Sequence, residues 1–127
     1  ISVYAPFSPI AALVRKNGFR VELVPGVTSF CAAAARTGVP LVCGTEPLQI
    51  LPYDCPDLRE RLHLPGAKVI MKCGSHFPEL VRLLETEGLL LNAYAVENCG
   101  LANERYLSLM NPDEVMCGYF TVVYIRG

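Results

Sequence analysis

The apolar run AKVIMK, residues 67–72, constrains the fold of this chain more than any other stretch. The residues between its two lysines are all apolar, so neither face of a strand built from them suits water. Such a run is typical of an interior strand in a sheet that helices cover on both faces. An amphipathic helical pattern follows at residues 78–87 and is closed by Gly88. The two segments together predict a layered α/β fold.

Strand-like and helical segments alternate along the rest of the chain. Helical patterns cover residues 8–17, which end at Gly18, residues 28–36, which end before Gly38, and residues 57–62. Strand-like runs are RVELV, PLQILP, NAYAVEN, ERYLSL and YFTVVYIR. Because strands outnumber the helices between them, we predict a mixed sheet. We expect one compact α/β domain, a mixed sheet of about five strands flanked by roughly three or four helices.

Charge and hydropathy argue against two classes of partner. The 127 residues carry a net charge of -1 with acidic and basic side chains interspersed, so no basic patch indicates a nucleic-acid partner. No apolar run approaches the roughly 20 residues that span a bilayer, and no charged and apolar leader opens the chain. We expect a soluble, cytoplasmic protein with no nucleic-acid partner and no membrane partner.

Six cysteines are scattered along the chain, without a C-x-x-C pair or a histidine at zinc-finger spacing, and no metal site is predicted. Without a secretory signal, the thiols are expected to be reduced and mostly to serve as small buried apolar side chains. The two histidines, His63 and His76, are predicted to be surface or structural residues. The cysteines are Cys31, Cys43, Cys55, Cys73, Cys99 and Cys117.

The segment VELVPGVTSFCAAAARTG, residues 21–38, joins a strand-like run to an alanine-rich helix through a Pro-Gly turn. Such a turn aims the free N–H groups of the first helical turn beyond the end of the strand, where they suit anions and polar ligand groups. Thr28 and Ser29 stand at this point. Their hydroxyl groups could cap the helix or reach a ligand, and the spacing alone leaves both interpretations open.

Four blocks of sequence resemble one enzyme family. They are VPGVTSFCAAAARTGVPLVCGTEPLQILP, VIMKCGSHFPELVRLLETEGL, AYAVENCGLANERY and the terminal YFTVVYIRG. Together they resemble the C-terminal half of the tetrapyrrole (corrin/porphin) methylases. Within that family the chain is most similar to the precorrin-2 C20-methyltransferases and their cobalt-factor II counterparts, and the resemblance covers nearly the whole chain.

The resemblance implies two α/β domains that bind S-adenosylmethionine (SAM) in the cleft between them. Residues 1–127 would be the C-terminal domain, and the N-terminal domain would lie outside this sequence, which opens without an initiator methionine. The implied reaction methylates C20 of precorrin-2 or cobalt-factor II in cobalamin biosynthesis, in a homodimer. SAM is already an activated electrophile, so the protein mainly supplies positioning and exclusion of water, without a metal or a nucleophile.

The resemblance also assigns cofactor contacts residue by residue. Val3 matches an apolar residue set against SAM, and Thr28 and Ser29 match a pair that touches its methionine portion. Met71 matches a methionine that lines the adenine pocket, where a flexible thioether suits a flat ring. Thr121 matches a small polar position near the edge of the adenine.

Cys99 and Gly100 match a turn of small residues after VEN, where backbone groups approach the adenosine. The usual residue is glycine or alanine, so Cys99 could narrow the pocket. No residue is predicted as the catalytic base. Glu97 ends an apolar strand and needs a partner, such as the Asn98 amide or an arginine, and we assign it no catalytic role.

Two other functions stay open from the sequence. A sister enzyme of the same superfamily would methylate an rRNA cytidine or diphthine, and the near-neutral charge counts mildly against the RNA substrate. A non-catalytic module would keep this fold as a ligand sensor or a fusion partner. The upstream sequence separates these cases, because an intact Gly-rich strand end and a Gly-Asp-Pro motif favour an enzyme.

Overall fold

The computed structural model describes residues 7–110 and 117–127. Within them, the α-helices are Phe7–Lys16 (α1), Ser29–Thr37 (α2), Leu58–Leu62 (α3) and Phe77–Thr86 (α4). The strands are Leu48–Pro52 (β1), Ala67–Met71 (β2), Ala93–Glu97 (β3), Arg105–Leu107 (β4) and Thr121–Ile125 (β5). Short 3-10 turns at Gly74–His76 and Leu90–Asn92 precede α4 and β3. No helix in this part of the chain is long and apolar enough to cross a bilayer.

The five strands form one mixed sheet in the order β1-β2-β5-β3-β4. β1 and β2 are parallel, and each of the other neighbouring pairs is antiparallel. The α/β class, the mixed sheet and the number of strands expected from the sequence are confirmed. The apolar run that begins at Ala67 is an interior strand, as predicted, and β5 at the centre of the sheet is buried along its whole length.

Helices cover both faces of the sheet because successive residues of the interior strands point to opposite sides. Ile70 and Val123 lie in an apolar cluster that receives side chains from α3 and α4. Val69 and Val122, one position away in each strand, lie in a second cluster with Phe30 of α2. Full burial of one such side chain stabilises the fold by about 1.5–3 kcal/mol, so both layers hold the sheet.

The alanine-rich helix α2 lies close to the sheet and stops where the sequence predicts. Ala33 is fully buried against the sheet, where a longer side chain would hold the helix further away. Gly38 follows the helix with a φ of 68°, the left-handed conformation that glycine adopts without steric cost. This helix and the sheet together form the part of the fold that carries the candidate site.

Residues 20–24 do not form the strand that the alternating run RVELV predicts. They lie in a segment without regular secondary structure, and the side chains of Leu23 and Val24 are 53% and 67% exposed. A strand needs a neighbour for its backbone hydrogen bonds, and β1 and β4 occupy the two edges of this sheet. The alternation therefore marks a segment that suits a strand but has no partner in this sheet.

The expectation that the cysteines are mostly buried is wrong. Cys73 is buried, whereas Cys31 and Cys43 are exposed and the other three are half-buried. Helical geometry explains Cys31: the buried face of α2 carries Phe30 and Ala33, three positions apart, and Cys31 falls outside it. All six cysteines are free thiols.

Candidate functional site

A cavity of about 430 Å³ opens at the ends of the interior strands, beside the start of α2. This volume lies within the roughly 300–1,000 Å³ of small-molecule sites. β5 is antiparallel to both β2 and β3, so the carboxyl ends of β2 and β3 lie beside the amino end of β5. The cavity forms at this end of the three strands. The topology thus brings together residues that are far apart in the sequence.

Four of the seven residues that the resemblance assigns to the cofactor line this one cavity. Met71 comes from the end of β2, Cys99 from the turn after β3, Thr121 from the start of β5 and Ser29 from the start of α2. Their sequence positions span most of the chain, and the fold places them around a single opening.

The other three assigned residues have different positions. Val3 lies outside the described residues. Thr28 stands immediately before α2, and its side chain makes no capping hydrogen bond, so the capping interpretation of this hydroxyl is wrong. Gly100 adjoins Cys99 and has a φ of 82°, a conformation that suits glycine. Thr28 and Gly100 each neighbour a residue that lines the cavity.

The cavity has apolar walls and few polar groups. Met71, Val96 and Val122 provide aliphatic and thioether surface, and Phe120 provides an aromatic ring. The buried Thr121 donates a hydrogen bond of 2.9 Å from Oγ1 to the carbonyl oxygen of Gly118, which fixes the orientation of its hydroxyl group. Walls of this kind suit a flat ring with a small number of directed polar contacts.

A buried carboxylate holds the strand ends at the edge of the cavity. Glu97, 3% exposed at the end of β3, accepts hydrogen bonds from Arg105 Nε at 2.7 Å and from the Gly118 amide at 2.5 Å. The partner that the sequence requires for Glu97 is therefore an arginine on the neighbouring strand. Since these partners occupy both carboxylate oxygens, Glu97 ties β3 to β4 and to the segment that leads into β5.

A second carboxylate, Glu104, shapes the turn after β3. It accepts hydrogen bonds from the Gly100 amide at 2.5 Å, from Tyr106 Oη at 2.8 Å and from Arg36 Nε at 3.2 Å. The Gly100 amide, the Tyr106 hydroxyl and the Arg36 guanidinium hold the pKa of this carboxyl below its usual range. Because Arg36 lies on α2, Glu104 links the turn that carries Cys99 to the helix across the cavity.

Several lining residues were not identified from the sequence. Lys72 follows Met71 directly, and Tyr119 and Phe120 precede β5 with side chains 76% and 63% exposed. The aromatic pair could have been noticed as two large side chains at the start of the last strand. Glu104 had no local signal, because its importance rests on Arg36, 68 residues earlier.

The histidines have structural contacts, as predicted. His63 Nε2 lies 2.6 Å from Glu87 Oε2, and the ring of His76 stacks on Tyr53 with centroids 5.1 Å apart. In residues 7–110 and 117–127, no group of three or more histidine, cysteine, aspartate or glutamate side chains is placed to hold a metal ion.

A family model described as Tetrapyrrole (Corrin/Porphyrin) Methylases matches residues 2–110. The chain is 34% identical over 113 residues to Precorrin-2 C(20)-methyltransferase of Sinorhizobium sp and 32% identical over 111 residues to Cobalt-precorrin-2 C(20)-methyltransferase of Salmonella typhimurium. These alignments cover 87% and 84% of this chain and 46% of each relative. The chain thus spans about half the length of these two relatives.

Solved structures share the fold. A cobalt precorrin-4 methyltransferase, CbiF, superposes with a TM-score of 0.79 at 15% identity, covering 98% of this chain and 59% of that one. Uroporphyrin-III C-methyl transferase from Thermus thermophilus, complexed with S-adenyl homocysteine, gives a TM-score of 0.68 at 21% identity, covering 98% and 61%. At these identities the likeness concerns the fold.

Proposed function

This chain belongs to the tetrapyrrole (corrin/porphyrin) methylase family, and we propose that it is the C-terminal domain of a SAM-dependent C-methyltransferase of cobalamin biosynthesis. The methylated atom in this proposal is C20 of precorrin-2 or cobalt-factor II. The observation that carries the proposal is the alignment of more than four fifths of the chain with two relatives that are named as C20-methyltransferases of these tetrapyrroles.

The cavity at the ends of the interior strands is the proposed position of the adenosine part of SAM. Its volume and walls fit such a group: Met71, Val96 and Val122 offer apolar surface to a purine, and Thr121 offers an oriented hydroxyl. Ser29, on the α2 side of the same cavity, is the proposed contact for the methionine part. Cys99 contributes a half-buried thiol next to the backbone of Gly100.

The chemistry asks little of this chain beyond positioning. SAM supplies an activated methyl group when it is bound. Residues of the cavity orient the donor and exclude water, which are the main contributions to a displacement between two bound reactants. Glu97 is engaged by Arg105 and Gly118, so we assign it to holding the strand ends and not to moving a proton.

The N-terminal domain is the proposed partner for an exposed apolar region of this chain. Phe19, Leu23, Val24 and Val27 are all more than half exposed, and residues 20–24 carry a strand pattern without a strand partner. Covering such side chains is favourable by about 25 cal/mol per Å² of apolar surface. We propose that the N-terminal domain covers this segment and supplies its backbone partners.

Hydrogen exchange tests that arrangement. Amides of residues 20–24 are expected to exchange rapidly in the 127-residue chain and slowly in the protein that joins this chain to its N-terminal domain (the two-domain protein). Amides of β5 serve as the control and are expected to be protected in both. Rapid exchange at 20–24 in the two-domain protein would contradict the proposed contact.

Self-association is also part of the proposal. Leu101, Tyr106, Tyr119 and Phe120 are more than half exposed near the cavity, and apolar surface of this kind often marks an interface. We propose a homodimer of the two-domain protein. Light scattering is expected to report a dimer, and a monomer at high concentration would contradict it.

Methyl transfer tests the function directly. SAM labelled with ¹³C in its methyl group is incubated with the two-domain protein and with precorrin-2 or cobalt-factor II. The expected product carries one labelled methyl group at C20. A label at another carbon would overturn the C20 assignment, and the absence of any labelled tetrapyrrole from a folded protein would overturn the proposed activity.

A further inference from the structure

The turn that joins β3 to β4 forms one wall of the candidate cavity. Asn98, Cys99 and Leu101 line the cavity from this turn. The hydrogen-bonded ladder between β3 and β4 ends at the pair Glu97 and Arg105, so residues 98–104 lie outside it. The position of this wall therefore depends on contacts other than those of the sheet.

Glu104 supplies such contacts on two sides. Its carboxylate accepts hydrogen bonds from the Gly100 amide at 2.5 Å and from Tyr106 Oη at 2.8 Å, which hold the turn and the strand after it. Arg36 Nε on α2 donates to the same carboxylate at 3.2 Å. Ala32 lines the cavity, and Arg36 follows it by four positions on the same face of α2. Glu104 thus connects two walls of the cavity.

The role of Glu104 must be indirect, because its carboxylate is engaged by three donors and lies behind the residues that line the cavity. We propose that Glu104 is a positioning residue for the methyl donor. Through Gly100 and Arg36 it keeps the turn against α2 and fixes the width of the cavity for the adenosine part of SAM. Walls that are already ordered bind a ligand without the free-energy cost of ordering them. This inference rests on the proposed function, because it takes the ligand from it.

Glu87 provides a matched control elsewhere in the chain. It follows α4, accepts a hydrogen bond from Arg59 Nε at 2.5 Å and lies 2.6 Å from His63 Nε2. Its side chain is 11% exposed, against 10% for Glu104. The two carboxylates are therefore alike in exposure and each has an arginine partner. They differ in place, because α4 packs on the face of the sheet opposite α2.

The test uses the two-domain protein and four variants of it. These are Glu104→Ala, Arg36→Met, the double variant with both substitutions, and Glu87→Ala. Calorimetry measures the affinity for S-adenosylhomocysteine, which is SAM without its transferred methyl group. Initial rates give the KM of SAM and the KM of the tetrapyrrole, and circular dichroism gives the Tm of each variant.

Glu104→Ala is expected to weaken the binding of S-adenosylhomocysteine about tenfold and to raise the KM of SAM, while the KM of the tetrapyrrole stays that of the parent. Glu87→Ala is expected to lower the Tm and to leave the affinity unchanged. Parent-like affinity in a folded Glu104→Ala variant would show a merely structural role and overturn the proposal. An equal loss of affinity in Glu87→Ala, or an equal rise in both KM values, would also overturn it.

Arg36→Met tests the link to α2 without a large effect on folding, because the Arg36 side chain is 61% exposed. Methionine cannot donate to Glu104, so the affinity for S-adenosylhomocysteine is expected to fall about threefold. In the double variant the same substitution is expected to add no further loss, because its partner is gone. Parent-like affinity in Arg36→Met, or additive losses in the double variant, overturns the proposal. If Glu104→Ala does not fold, Arg36→Met and Glu87→Ala decide it.

The parent protein separates this proposal from the proposed function. If the folded parent binds no S-adenosylhomocysteine, the proposed function fails. If the parent binds it and Glu104→Ala binds it equally well, the positioning role of Glu104 fails and the proposed function stands.

Discussion

The hydroxyl group of Tyr124 in β5 donates a hydrogen bond of 3.0 Å to the main-chain carbonyl oxygen of Phe30 in α2. Both residues are buried, and they lie 94 positions apart in the sequence. The ring of Tyr124 also stacks on Tyr94, with centroids 4.7 Å apart. This contact fixes the helix that begins at Ser29 against the central strand, so it sets the position of one side of the cavity.

Removing that hydroxyl group alone tests its contribution to stability. Tyr124→Phe keeps the ring and loses the hydrogen bond, so the free energy of unfolding is expected to fall by about 1 kcal/mol. Urea denaturation of the 127-residue chain measures the change. Tyr119→Phe is the matched control, because the Tyr119 side chain is 76% exposed, and we expect a change within about 0.5 kcal/mol. Equal effects of the two substitutions would contradict the role of the contact.

Substitutions of Met71 test its place in the cofactor cavity. Met71 is half-buried and lines the cavity, so Met71→Asp is expected to fold in the two-domain protein and to lose at least about tenfold in SAM affinity, roughly 1.4 kcal/mol. Met71→Leu keeps apolarity and volume and is expected to cost less than about 1.5 kcal/mol of stability, with SAM binding retained. Melting temperatures are measured beside the affinities. A folded Met71→Asp variant that binds SAM like the parent would contradict the assignment of Met71 to the cofactor cavity. Outright unfolding of this variant would indicate that Met71 is a core residue.

Thiol reactivity tests the burial of the cysteines. Burial raises the pKa of the Cys73 thiol, and it raises the pKa of Cys117 to about 11. Since the thiolate is the reactive form, iodoacetamide at pH 8 is expected to label the exposed Cys31 and Cys43 quickly and to label Cys73 and Cys117 slowly. Peptide mass spectrometry of the folded chain gives the rates. Labelling of Cys73 or Cys117 as fast as Cys31 would contradict the fold around them.

The acidity of Glu104 gives a prediction about pH. Its pKa is lower in the folded chain than the ordinary value of a glutamate, because the ionised form accepts hydrogen bonds from the Gly100 amide, the Tyr106 hydroxyl and the Arg36 guanidinium. The stabilisation is therefore present above the ordinary range of a glutamate and is lost as the pH falls through the folded pKa. The NMR signal of the Gly100 amide is expected to titrate with a midpoint below that range. Glu104→Gln should remove this titration, and a midpoint at or above the ordinary range would contradict the hydrogen bonds.

Local patterns predicted most of the secondary structure. The run at Ala67–Met71 and the β-branched run at Thr121–Ile125 carry apolar side chains on both faces, which is typical of interior strands. Gly38 ends a helix as predicted, because glycine adopts the left-handed conformation of a helix end without steric cost. The strand predicted for RVELV is absent, because alternation is a property of the segment alone and does not show whether a neighbouring strand is present.

The candidate site was less accessible to sequence reasoning. Family resemblance predicted the site residues Ser29, Met71, Cys99 and Thr121. The order and directions of the strands explain why these residues line one cavity. The contact between Arg36 and Glu104 depends on distant elements and left no local pattern. The left-handed backbone of Lys72, with a φ of 61°, also left no pattern, because residue type does not reveal it.

The central claim is that this chain carries one side of a SAM site and that the other side lies in the N-terminal domain. Calorimetric titration of SAM into the 127-residue chain and into the two-domain protein tests it most directly, with circular dichroism to establish that both are folded. We predict clear saturable binding by the two-domain protein and little or no heat from the chain alone. Submicromolar binding by the chain alone, or no binding by the two-domain protein, would contradict the claim.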